Sequence, residues 1–152
     1  MPDSLVLTKK WINDVISGLI EEVGSNDVYD IISYLNIKII KDNEKQNVLF
    51  EKCDGIYIRN FFGNEVIIIK DSLPNEKFVL AHELGHALLH VDYDFLMNNP
   101  LSLNSKKEKE ANYFATKLLY DDYKIEDGIE TTEQLANKLG INQDFIKFII
   151  EK

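Results

Sequence analysis

Residues 79 to 90, VLAHELGHALLH, constrain this chain more than any other stretch, because they set two histidines and a glutamate on an otherwise apolar helix. His82 and His86 lie about 40° apart around a helix axis and one turn apart along it, so both imidazoles can reach a single ion. Zinc accepts imidazole nitrogen at about 2.0 to 2.1 Å in tetrahedral geometry, and two ligands from one helical face lower the ordering entropy of the site. Glu83 is rotated by about 100° from His82, which sets it beside the water of such a site as a general base rather than as a ligand. The competing reading is an ordinary amphipathic helix with surface histidines. Val79, Leu80, Ala81, Leu84, Gly85, Ala87 and Leu88 argue against it, since a buried His-Glu-His cluster without a metal leaves unpaired polar groups that cost several kcal/mol. Gly85 costs about 1 kcal/mol relative to alanine in a helix, a penalty that makes sense where something must approach closely. His90, one turn further on, reads as a helix-end residue interacting with the C-terminal dipole.

A catalytic zinc needs a third protein ligand and an open position. The stretch SKKEKEANYFATKLL, residues 105 to 119, carries an apolar stripe of Ala111, Phe114, Ala115, Leu118 and Leu119. Glu108 falls within about 60° of the centre of that stripe and is predicted to face inward, whereas Glu110 is rotated by about 110° toward solvent. Asn112 shares the side of Glu108 and can orient a ligating histidine through a hydrogen bond. The rival role for Glu108 is a capping box with Ser105, which does not explain why Asn112 lies on the same side.

These two motifs together resemble the ImmA/IrrE family of metallopeptidases. The pattern E-x-x-A-N-x-F-A-x-x-L-L is met by Glu108, Ala111, Asn112, Phe114, Ala115, Leu118 and Leu119, beginning 22 residues after His86. The resemblance covers most of the chain. It implies an α+β, zincin-like fold of gluzincin type, with His82, His86 and Glu108 as zinc ligands and Glu83 as catalytic base. It further implies a zinc-dependent endopeptidase of the short form carried by bacterial mobile elements, which cleaves a helix-turn-helix transcriptional repressor and so releases its target genes. Many members continue Leu-Leu-Met-Pro where this chain reads LLYDD at Leu118 to Asp122, a departure that bears on the substrate pocket rather than on the metal.

The rest of the chain is consistent with a single compact unit. Trp11, Ile12, Val15, Ile16, Leu19, Ile20 and Val23 recur at helical spacing and predict a helix over residues 8 to 23, ended by Gly24. Asp27 caps a short second helix whose buried stripe is Val28, Ile31, Ile32 and Leu35, and Asn36 ends it. An extended segment from Ile37 and the runs NVLFEKC, GIYIRN and EVIIIK, with a turn at FFGN, predict a small antiparallel sheet over roughly residues 37 to 70. Pro74 is placed in the first turn of the motif helix. Residues 92 to 104, with Tyr93, Phe95, Leu96 and Met97, read as a loop that either gates the site or tucks into the core.

Composition excludes several functions. A net charge of −9 and a single arginine, Arg59, disfavour direct nucleic-acid binding, which rests on clustered positive charge. No stretch suits a membrane span or a signal peptide, which predicts a cytoplasmic protein, and the lone Cys53 fits a reducing compartment as an inert thiol. The abundance of Ile, Lys and Asn points to an AT-rich, low-GC bacterial source. No small-molecule ligand is expected.

The tail TTEQLANKLGINQDFIKFII has a helix-turn-helix outline, but Lys138 and Lys147 are balanced by Glu133 and Asp144. Residues 131–152 are therefore expected to be a packing or docking appendix to a peptidase domain at 1–130. Tyr93 and Tyr120 are weak oxyanion stabilisers in this reading and more naturally packing tyrosines. The alternative function is a zinc-containing module that sequesters a repressor or toxin without cutting it. The presence of Glu83 favours an enzyme, since a structural zinc needs no base.

Overall fold

The computed structural model describes residues 4–42, 53–90, 95–97 and 106–150, with the backbone alone at 4–7 and 95–97. Helix α1 (Ser4–Val23) buries Ile12, Ile16 and Leu19, and ends at Gly24, whose φ of 79° lets the chain turn and whose N–H bonds to the Ile20 carbonyl at 2.8 Å. Trp11, expected in the buried stripe, is 47% exposed because it stands about 100° from Ile12, at the stripe's margin. Helix α2 (Val28–Tyr34) is capped by Asp27, which accepts from Tyr29 N at 2.8 Å and Asp30 N at 3.2 Å, and the chain leaves it through Asn36 at φ 59°.

Strands β1 (Lys38–Asp42), β2 (Gly55–Phe61), β3 (Asn64–Lys70) and β4 (Phe95–Met97) form a sheet in the order β1-β3-β2-β4. The pairs β3–β2 and β2–β4 are antiparallel, and β1 joins the far side of β3 in parallel, Ile39 opposite Ile67. The β2–β3 hairpin turns at Phe62 and Gly63, both with positive φ (51° and 85°), as a tight two-residue turn requires. Side chains alternate between faces: Tyr57, Ile67 and Ile69 enter the main core, while Cys53, Ile56, Val66 and Ile68 form a second cluster. Burial on both faces explains why EVIIIK reads as a continuous apolar run rather than an alternating one. The segment NVLFEKC lies outside the described residues except for Cys53, as do Ser105 and Tyr93.

The stretch expected to be a loop after the motif helix contains β4, which pairs with Ile56–Ile58 of β2. Three residues are too few for period-two patterning to stand out in sequence. Pro74 also lies earlier than expected, one residue before the Asn75 N-cap of α3 (Glu76–Leu89). Glu76 fastens the start of α3 by accepting from Tyr29 and pairing with Lys41 at 3.0 Å.

Helix α3 is buried on nearly every side, between the sheet and α4 (Lys106–Tyr120). The tail forms α5 (Thr132–Leu139), a 3-10 turn at Gln143–Phe145 and α6 (Ile146–Ile150), joined through Gly140 at φ 70°. A Thr131–Gln134 capping box starts α5. Phe145 stacks on Phe78, Phe148 packs edge-on to Tyr113, and Leu135, Ile141, Ile146 and Ile149 belong to the main core. No helix among the described residues is long and apolar enough to cross a membrane.

Candidate metal centre

Two close approaches build the site. The first is between α3 and α4: a Cβ on Gly85 would lie 3.3 Å from the Ala111 Cα and 3.2 Å from the Phe114 ring. The close approach inferred from Gly85 is thus to the backbone of α4. It brings Glu108, on the first turn of α4, between the two histidines of α3. The second is between β2 and α3, where a Cβ on Gly55 would meet Val79 at 2.9 Å and the Glu83 side chain at 3.2 Å. The strand lies directly over Glu83 because its first residue has no side chain.

The resulting geometry is compact. His82 Nε2 is 3.0 Å from one Glu108 oxygen and His86 Nε2 is 3.0 Å from the other, with all three residues buried. Their ligand atoms lie within 4.8 Å of one another. Ligands about 2.1 Å from a tetrahedral centre are separated by about 3.4 Å, so the two histidine–carboxylate contacts at 3.0 Å are a few tenths of an ångström short of a zinc polyhedron, while the triad as a whole spans up to 4.8 Å. Among the described residues neither ring nitrogen makes an aligned hydrogen bond despite its proximity to carboxylate, as expected for lone pairs converging on a common point rather than on each other. Two imidazoles and a carboxylate are also the donor set of a catalytic zinc with an open fourth position.

Electrostatics follow from burial and proximity. Burial pushes His82 down, but the Glu108 carboxylate 3.0 Å away, the charge of Glu83 and a hydrogen bond that the ring donates to Asn112 outweigh it and leave the pKa raised. Asn112 therefore holds His82, as its helical position suggested. Burial keeps His86 below its ordinary value even against Glu108. Glu108 is pushed up by burial and pulled down more strongly by the two histidines, to about 2. Glu83 is 0% exposed, neither carboxylate oxygen has a hydrogen-bond partner among the described residues, and burial raises its pKa to about 7.

The model of the IrrE N-terminal-like domain, peptidase family M78, matches residues 33–146, about three quarters of the chain. The chain belongs to this family. Similar proteins include the metallopeptidase ImmA of Bacillus subtilis (strain 168), 28% identical over 127 residues that span 82% of this chain and 72% of that protein. Another is an uncharacterized immunity region protein 2 of Bacillus phage phi105, 33% identical over 119 residues, 75% of this chain and 71% of the relative. No solved structure matches the chain at comparable stringency. His82, His86 and Glu108 form a triad whose geometry is consistent with the zinc site of a metallopeptidase of this ImmA/IrrE-like family.

Two further residues at the site were not anticipated. Glu110, expected to face solvent, is buried at 7% exposure because α4 is covered by α1 and α6 as well as by α3, so its buried arc exceeds a single stripe. His90 is equally enclosed, its Nδ1 2.9 Å from His86 Nδ1 and its Nε2 3.5 Å from Glu110. The signal for His90 was its repetition of the four-residue spacing; Glu110 had none. Arg59 donates to the carbonyls of Ala87 and His90 at 3.2 and 3.4 Å, closing the end of α3. Tyr120 is three helical turns beyond Glu108, packed edge-on to Tyr123, and is a packing residue. Burial raises Cys53 to about 11, which leaves the thiol protonated and unreactive.

Proposed function

We propose that this protein is a site-specific zinc endopeptidase that cleaves a helix-turn-helix transcriptional repressor encoded near it, with Glu83 as general base. The observation that carries the catalytic reading is a fully buried carboxylate, without a hydrogen-bond partner among the described residues, next to the zinc-binding triad. A purely structural or sequestering zinc site has no use for such a group, whose burial costs several kcal/mol.

His82, His86 and Glu108 would hold the zinc, which when bound would supply Lewis-acid polarisation of the scissile carbonyl and acidification of the attacking water. Glu83 takes the proton from that water and passes it to the leaving amine. A carboxylate held beside the attacking water suits both transfers as acceptor and then donor. Asn112 orients His82, and Gly55 allows β2 to cover Glu83 and exclude bulk water.

The hairpin strand β2 has no free edge among the described residues, because β4 pairs with it on the side away from β3. Among the described residues the sheet edges are β1 and β4, and β4 lies one strand spacing, about 4.8 Å, from the strand over Glu83. The substrate segment adds to β4 as an extended strand, which a folded repressor provides only from a flexible region or a loosened helix. Residues 1–130 form the peptidase unit in this reading, and 131–152 an appendix docked through Phe145 and Phe148. The repressor substrate is supported by the family resemblance, and the mobile-element setting by the relative named for a phage immunity region.

The test is mass spectrometry of the neighbouring repressor after incubation with the zinc-loaded protein. One or a few cuts, with casein almost untouched, are expected. Rapid degradation of casein beside an intact repressor overturns the substrate, and a stable uncut complex favours sequestration.

A further inference from the structure

The buried pair His90 and Glu110 takes no part in the ligand set, yet each places a polar group inside an apolar helix packing, at a cost that requires a partner. Proton counting fixes what that partner is. When His86 Nε2, the nitrogen facing Glu108 at 3.0 Å, gives its lone pair to zinc, the single proton of the neutral ring sits on Nδ1. That nitrogen is 2.9 Å from His90 Nδ1, so His90 must accept there and carry its own proton on Nε2. The His90 Nε2–H side faces Glu110 Oε1 at 3.5 Å, too long for an aligned hydrogen bond but close enough for the carboxylate charge to favour this tautomer. Arg59, through the His90 carbonyl, ties the same residue to β2.

We propose that His90 and Glu110 form a positioning relay for the zinc site, in which His90 accepts from His86 Nδ1–H, fixes the ring and its tautomer, and raises its basicity toward the metal. The usual outer partner of a ligating histidine is a carboxylate, a carbonyl or water. Here a second histidine is interposed, and the carboxylate acts through it. The relay rests on the zinc-binding triad and is independent of which peptide is cut.

The test uses the full-length protein with His90→Leu, His90→Asn and Glu110→Gln, reading zinc affinity by chelator competition and the visible spectrum of the cobalt-substituted form. His90→Leu is expected to weaken zinc binding about 10- to 100-fold and shift the cobalt bands. His90→Asn, whose side-chain oxygen can replace the accepting nitrogen, is expected to restore most of both, and Glu110→Gln to give a smaller loss. Wild-type affinity and spectrum in His90→Leu overturn the relay. So does a loss that His90→Asn does not restore and that parallels lower stability of the metal-free protein, which marks simple packing. Should the leucine variant not fold, imidazole nitrogen NMR of the zinc-loaded wild type decides, since a proton on His90 Nδ1 contradicts the relay. Failure of the wild type to bind zinc at all is a different result and strikes the triad itself.

Discussion

Gly85 and Ala111 are the point at which the two ligand-bearing helices touch, with a Cβ on the glycine falling 3.3 Å from the alanine Cα. Because the obstacle is backbone, relief requires moving a helix. Gly85→Ala is therefore expected to lose stability by about 1–3 kcal/mol despite alanine's higher helix propensity. It should also weaken zinc binding, because Glu108 moves with α4. Denaturant titration of the metal-free variant with chelator competition checks both, and a more stable variant with unchanged zinc affinity counts against the packing argument.

The metal assignment predicts that His82→Ala, His86→Ala and Glu108→Ala each lose most of the bound zinc, while Glu110→Ala, which removes no ligand, keeps one equivalent at saturating metal. Elemental analysis of the purified variants measures this. A zinc-free Glu110 variant beside a zinc-replete Glu108 variant would reverse the assignment.

Glu83→Gln preserves shape and should retain zinc while hydrolysis falls by at least about 100-fold. Full activity in this variant would remove Glu83 from the chemistry.

The raised pKa of Glu83 also makes the metal-free protein pH-sensitive. Below the ordinary value of 4.5 the carboxyl is protonated in both folded and unfolded chains, and its ionisation costs nothing. Between 4.5 and about 7 the folded chain holds a proton that the unfolded chain has released, so stability falls as pH rises. The full penalty, on the order of 3 kcal/mol, is present above about 7. Metal-free Glu83→Gln is expected to be more stable than wild type at pH 8, with the difference closing toward pH 4.5. Denaturation curves at several pH values measure it, and a pH-independent difference would contradict ionisation as the cause.

Cys53, buried and held near pKa 11, is expected to resist alkylation in the native protein at pH 8 and to react fully in denaturant. Stoichiometric labelling of the native state would show a more accessible thiol.

The helix carrying His82, Glu83 and His86 and the hairpin after Cys53 were legible because periodicity and turn chemistry act over a few residues. Glu108 was legible because helical phase and the spacing to Asn112 agreed. Glu110 was misjudged because phase was measured against one stripe, whereas α4 meets α1, α3 and α6 and buries most of its circumference. The parallel placement of β1 and the pairing of Phe95–Met97 with β2 were not legible either, since strand partners depend on long-range topology that local patterns do not encode.

The division of the zinc ligands between α3 and α4 also has a consequence for synthesis of the chain. His82 and His86 leave the ribosome before Glu108, and Tyr113 of the same helix must return to bond Asn13 across 100 residues of sequence. A nascent polypeptide ending short of α4 carries two histidines and an acid but no cage to hold an ion. Hydrolytic competence is thereby withheld until most of the molecule has been translated, so a truncated translation product has no active centre.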